Sequence, residues 1–122
     1  MFLKRFENLE EFVSGDNCRL REYFNPLKEK MELNYSLAHA IVKPGETTFK
    51  HKLKSSEVYF ILKGKGIMRI DEKQKEVKEN DVIYIPPNSV QSIKNNGEED
   101  LVFLAIVEPA WKKEDEKIIK ED

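Results

Sequence analysis

The sequence predicts an all-β fold, a small barrel or sandwich, and three observations carry that expectation. Short runs rich in Val, Ile, Tyr and Phe follow one another along most of the chain, several of them alternating apolar with polar residues. Turn-forming clusters separate these runs, and no long helical period fills the gaps. A length of 122 residues suits one domain with one core, spanning 1–122.

The elements follow in chain order. Asn8 with Glu11 has the spacing of a capping box, which predicts a short helix over about 9–13, closed by Ser14 and Gly15. Strands are then expected over 19–24, 35–43, 47–53, 58–62, 66–70, 82–85, 91–93 and 101–107. Between them stand Asn25-Pro26, Pro44-Gly45, the glycine pair at 64 and 66, residues 71–74, Pro86-Pro87-Asn88 and the run 95–97. The barrel should therefore occupy about 19–107. The tail over 109–122 is charged, and Trp111, Ile118 and Ile119 share one face if it is helical, so a short docked helix is weighed there against a frayed end.

Acidic and basic residues nearly cancel, at a net charge of −2, which removes the one-signed field that nucleic acid or an anionic membrane surface needs. No nucleic-acid or membrane partner is expected. The start MFLKRFENLEEF holds no apolar stretch of signal-peptide or membrane-spanning length, and one cysteine, Cys18, makes no internal disulfide. A cytoplasmic location follows as the expectation. Charged residues make up 36% of the chain, a balance common in proteins from hot environments. Cys18 has no activating base beside it in sequence and reads as inert.

The informative stretch is HKLKSSEVYFILKGKG, from His51 to Gly66, which carries one of two histidines. Gly45 stands six residues before His51, Glu57 six after it, and Gly64 seven after Glu57; Pro86, Gln91 and Asn95 then recur at spacings of five and four. This pattern resembles the two sequence motifs of the cupin family. The first reads G, five residues, H-x-H, three or four residues, E, six residues, G, and the second reads G, five residues, P-x-G, two residues, H, three residues, N. The resemblance implies a cupin barrel, that is, a double-stranded β-helix or jelly roll, with short helices at its two ends.

The departures bear on the chemistry. Leu53 stands where the second histidine of H-x-H belongs, Gln91 where the later histidine belongs, and Asn80 and Asn88 replace the two glycines of the second motif. Of the family's three-histidine, one-glutamate metal set, the resemblance leaves His51 and Glu57, with Gln91 as a weak oxygen donor. A divalent ion, Zn, Ni, Fe or Mn, would be held weakly by these three. The wider sequence is similar to small single-domain prokaryotic cupins, which tend to carry the same leucine and glutamine.

Strand geometry gives an independent reading of the same residues. Residues two apart share a face, so His51 and Leu53 look into the barrel together, as do Glu57, Tyr59 and Ile61 on the next strand. An inward carboxylate must be hydrogen-bonded, metal-bound or protonated. A leucine in place of a histidine makes the cavity floor apolar and favours a small organic ligand, with His51, Glu57 and Gln91 as convergent polar groups. Arg21 and Arg69 are the cations available if such a ligand is anionic, and complete the expected pocket of His51, Leu53, Glu57, Tyr59, Gln91, Arg21 and Arg69.

Against this stands a structural reading, with His51 and Glu57 as a mutually satisfied pair, Gln91 as a structural amide, Asn95 and Gly64 as turn residues, and His39 as a packed histidine. Three functions remain in play: a small-molecule-binding cupin, a metal-dependent cupin enzyme of the sugar-phosphate isomerase, epimerase or oxygenase kind, and a structural oligomeric module. No catalytic residue is assigned, though Glu57 or His51 would move protons in an enzyme. Val58, Phe60 and Leu62 alternate with the inward set, which predicts an apolar outer face and a homodimer.

Overall fold

The computed structural model describes residues 1–120. The strands are β1 (Phe12–Val13), β2 (Arg19–Phe24), β3 (Ser36–Val42), β4 (His51–Leu53), β5 (Ser56–Lys63), β6 (Lys65–Ile70), β7 (Lys73–Lys78), β8 (Val82–Ile85), β9 (Gln91–Lys94), β10 (Leu101–Glu108) and β11 (Glu116–Ile118). They form two antiparallel sheets, one in the order β1-β2-β3-β10-β5-β8 and one in the order β11-β4-β9-β6-β7. The two face each other as a jelly-roll barrel.

Period-two patterning decides which face of each strand turns inward. Along β10 the residues Leu101, Phe103, Ala105 and Val107 are buried while Val102, Leu104 and Ile106 are only partly covered. On β5 the buried set is Glu57, Tyr59 and Ile61. Phe103, Ile61, Ile85, Ile93 and Leu101 are the largest fully buried apolar side chains, and Ala40, Val42, Met68 and Cys18 pack with them. Truncating Phe103 or Ile61 to alanine would cost about 2–5 kcal/mol in such a core.

Two turns show why the motif tolerates its departures. Asn80 and Asn88, which stand where the resemblance has glycines, adopt φ of 74° and 65°. Asparagine is the residue that best replaces glycine in this left-handed region. Gly64 is under a harder constraint, with φ of 86° and room so tight that a Cβ would lie 2.6 Å from the carbonyl oxygen of Asp100. Asn95 is fully buried and donates from Nδ2 to the carbonyls of Val42 and Glu99, tying the β9–β10 turn to β3. Its role is structural, as expected.

The chain ends differ from the sequence expectation in detail. The helix expected over 9–13 with Asn8 as its cap does not form: a 3₁₀ turn at Phe6–Asn8 precedes that span, Leu9 is extended, and Phe12–Val13 form β1. In the tail, a 3₁₀ turn at Lys113–Asp115 leads into β11, which pairs with β4, so Ile118 lies opposite His51 and Glu116 opposite Leu53. An unpaired edge of β4 outweighs the helical spacing of Trp111 and Ile118. The rest of the expected tail helix, Glu121 and Asp122, lies outside the described residues. The strand expected over 47–53 is shorter, with β4 beginning at His51 and Thr47 making an isolated bridge to Lys94. Strand β7 had no counterpart in the reading, because KQKEVK has one buried residue, Val77, and five exposed ones.

Candidate functional site

The site is built from the inward ends of β4, β5 and β9. His51 and Gln91 are directly opposite each other across the β4–β9 pair, and Leu53 shares the inward face of β4 with His51. Glu57 and Tyr59 enter from β5 in the other sheet. All five are buried. His51, Leu53, Glu57 and Tyr59 line a cavity of about 250 Å³ between the sheets.

A chain of hydrogen bonds orders the polar groups. The Tyr59 hydroxyl donates to Gln91 Oε1 at 3.0 Å, and Gln91 Nε2 donates to Glu57 Oε1 at 2.9 Å. His51 Nδ1 lies 3.1 Å from the carbonyl oxygen of Phe49. A carbonyl only accepts, so Nδ1 carries the proton, and in the neutral ring Nε2 is left as a lone-pair acceptor. Neither His51 Nε2 nor Glu57 Oε2 has a hydrogen-bond partner among the described residues.

Three further groups come from parts of the chain that carried no site signal. Asp16, in the β1–β2 turn, is buried, accepts from the Ser14 hydroxyl and places Oδ2 3.5 Å from His51 Nδ1. Glu116 of β11 lines the cavity from the other side, beside Gly15, whose lack of a Cβ leaves room for the carboxylate. Trp111 and Phe103 add aromatic walls. Asp16 sat in a turn and Glu116 in a charged tail, so neither residue could be told from solvated charge by spacing alone.

Burial dominates the electrostatics. It raises the Glu57 carboxyl to about 7, against opposing effects from His51 and the Gln91 hydrogen bond. Glu116 is raised for the same reason, with His51 again the main opposing influence and Asp16 adding repulsion. Burial and the nearby Asp16 carboxylate push the Cys18 thiol far up, which agrees with an inert thiol. Tyr59 is likewise held neutral by burial and by Glu57.

Two expected pocket residues are elsewhere. Arg21 on β2 lies between Leu20 and Glu22, which line the cavity, and so turns to the outer face, where its guanidinium covers the Phe6 ring at 4.4 Å. Arg69 on β6 reaches Gln74 on the solvent side. His39 also faces outward, edge-on to Phe6 at a ring distance of 4.7 Å.

The metal reading meets a specific obstacle. The Gln91 oxygen, its one donor to a cation, already accepts from Tyr59, and its nitrogen is turned to Glu57. Among the described residues no group of three or more His, Cys, Asp and Glu side chains is placed to hold a metal ion. The set does not fit the three strong ligands of a durable transition-metal centre.

A jelly-roll barrel with a polar cluster on these strands defines the class, and the chain belongs to the cupin family: residues 38–107 match the cupin domain. It is 36% identical over 116 residues to an uncharacterized protein of Methanocaldococcus jannaschii, covering 94% of this chain and 92% of that one. It is also 30% identical over 111 residues to a glucose-6-phosphate isomerase of Pyrococcus furiosus, covering 80% of this chain but 59% of the isomerase. Among solved structures, a predicted oxalate decarboxylase of Thermotoga maritima superposes with a TM-score of 0.77 at 23% identity, covering 88% and 99% of the two chains. That likeness is one of fold. No helix among the described residues is long and apolar enough to cross a membrane.

Proposed function

We propose that this chain is a small-molecule-binding cupin whose ligand occupies the cavity between the sheets. The observation that carries the reading is a cavity of about 250 Å³ with mostly apolar walls, lined by the polar side chains of His51 and Glu57. A few polar groups opening on a mostly apolar cavity are what fixes the orientation of a bound small molecule. A divalent metal, if it binds, rests on His51 and Glu57 with water, and is held weakly. The chain assembles as a homodimer through the outer face of the larger sheet, where Phe60 and Leu62 of β5 lie beside the exposed Val82 and Tyr84 of β8.

One observation favours an enzyme as the second reading. A glutamate raised to about 7 exchanges its proton near neutral pH, which suits a general acid or base. Native mass spectrometry of untagged protein tests the first reading. A retained small-molecule adduct, lost when Leu53→Trp fills the cavity, is expected. A protein that carries no adduct and shows no thermal shift with cationic, neutral or anionic small molecules would overturn it.

A further inference from the structure

The charge of the cavity narrows the ligand. Its lining residues include Asp16, Glu22, Glu57 and Glu116, and neither lysine nor arginine is among them. Glu22 is neutralised by Lys28 at 2.9 Å, but no salt bridge among the described residues brings a lysine or arginine to Asp16, Glu57 or Glu116. Three carboxyl groups, Asp16, Glu57 and Glu116, therefore line the cavity together with His51.

The hydrogen-bonding capacity has the same polarity. With Nδ1 facing the Phe49 carbonyl, the neutral form of His51 presents a lone pair at Nε2, and Glu57, 6% exposed, presents Oε2 as an acceptor once it is ionised. Such a cavity wants donors and positive charge. Tyr59 and Phe103 supply aromatic surface on which a cation is also favoured, and Trp111, whose ring already has the Lys28 ammonium at 5.7 Å, adds a third wall. The volume of about 250 Å³ equals roughly eight waters at about 30 Å³ each, which limits the ligand to a compact molecule.

We infer that the cavity takes a small organic cation, a compact primary or secondary amine whose ammonium is held by Glu57, Glu116 and the Nε2 of His51. The inference rests on the binding reading above and specifies its ligand class. It separates this chain from the anions named for its relatives, glucose 6-phosphate and oxalate, which would meet three carboxyl groups and no lysine or arginine in the cavity lining. The groups facing Glu57 are His51 and Leu53 from β4, Gln91 from β9, Tyr59 from its own strand, Cys18 and Asp16 from the β1–β2 turn, and Glu116 from β11. An arriving ammonium supplies the counter-charge they lack. Binding then ionises Glu57 and releases its proton to buffer.

The test is calorimetry and thermal shift with four probes of similar size: 1,4-diaminobutane, n-pentylamine, 1-pentanol and butyrate, with Zn²⁺ alone as a fifth. The amines are expected to bind at least tenfold more tightly than pentanol, with butyrate silent. Their affinity should rise several-fold from pH 6 to pH 8, with proton release detected by changing the buffer's ionisation enthalpy. Glu57→Gln and Glu116→Gln should each weaken amine binding at least tenfold; Glu116→Gln lies on a terminal strand, so a folding failure of the first variant leaves the second decisive. Equal binding of pentanol and amines would overturn the inference while leaving a small-molecule pocket in place. Tight Zn²⁺ binding without amine binding would overturn it in favour of a metal. Silence of every probe would overturn both readings.

Discussion

Gln91 stands between Tyr59 and Glu57, but its bond to Glu57 is the telling one: Nε2 donates to Oε1 across 2.9 Å, joining the two sheets at the cavity wall. The amide is thus a structural bridge in the position where the family motif has a histidine. Gln91→Leu strips Tyr59 of its acceptor and Glu57 of its donor, both buried, and should destabilise the fold by about 2–4 kcal/mol. Tyr59→Phe removes one bond and should cost about 1–2 kcal/mol. Urea unfolding of the two variants measures this, and a Gln91→Leu protein as stable as the parent would contradict the bridge.

The raised Glu57 carboxyl makes stability depend on pH. Its folded value is about 7 against an ordinary 4.5, so between these the folded chain holds a proton that the unfolded chain has released. The contribution is fully present below the ordinary value and is lost as pH rises through about 7, up to about 3 kcal/mol at the one-site limit. Glu116 shifts the same way and adds to the trend. The melting temperature should therefore fall from pH 5 to pH 8, and the fall should be much smaller in Glu57→Gln. A melting temperature that rises across this window would refute the assignment.

Positions 53 and 91 flank His51 on its own strand and on the neighbouring one. Leu53→His with Gln91→His should bring three imidazoles and Glu57 together and bind Zn²⁺ or Ni²⁺ at least a hundredfold more tightly than the parent. That ratio corresponds to about 2.7 kcal/mol. Titration calorimetry decides it, with equal affinities counting against the shared inward face. Metal should also raise the melting temperature of the double variant.

Phe60 pairs with Val82 and Val58 with Tyr84 on the outer side of the β5–β8 edge. Phe60→Lys with Tyr84→Asp should leave the barrel folded and convert the proposed dimer to a monomer. Light scattering across micromolar concentrations gives the answer. A parent that is already monomeric removes the proposal of a homodimer.

The strands that bury one face were legible because their alternation repeats over many residues. β2 and β8 match their expected bounds, and β3, β5, β6, β9 and β10 differ from theirs by one or two residues at an end. β7 and β11 were not legible, since edge strands covered with lysine and glutamate carry little alternation. In the same way the inward placement of His51, Leu53, Glu57 and Tyr59 was legible from strand spacing and that of Gln91 from the family motif, while Arg21 and Arg69 were misplaced because an isolated arginine in a strand does not reveal which face is inward.

Local spacing was enough to specify the barrel and the inward register of His51 and Glu57, because each depends on a period of two within one segment. The sign of the cavity depended on chain folding over long range. Asp16 and Glu116 are a hundred residues apart, and they reach His51 only because β1–β2 closes over β4 while the tail pairs with its free edge. Burial then raises Glu57, and no property of its sequence neighbours encodes that desolvation.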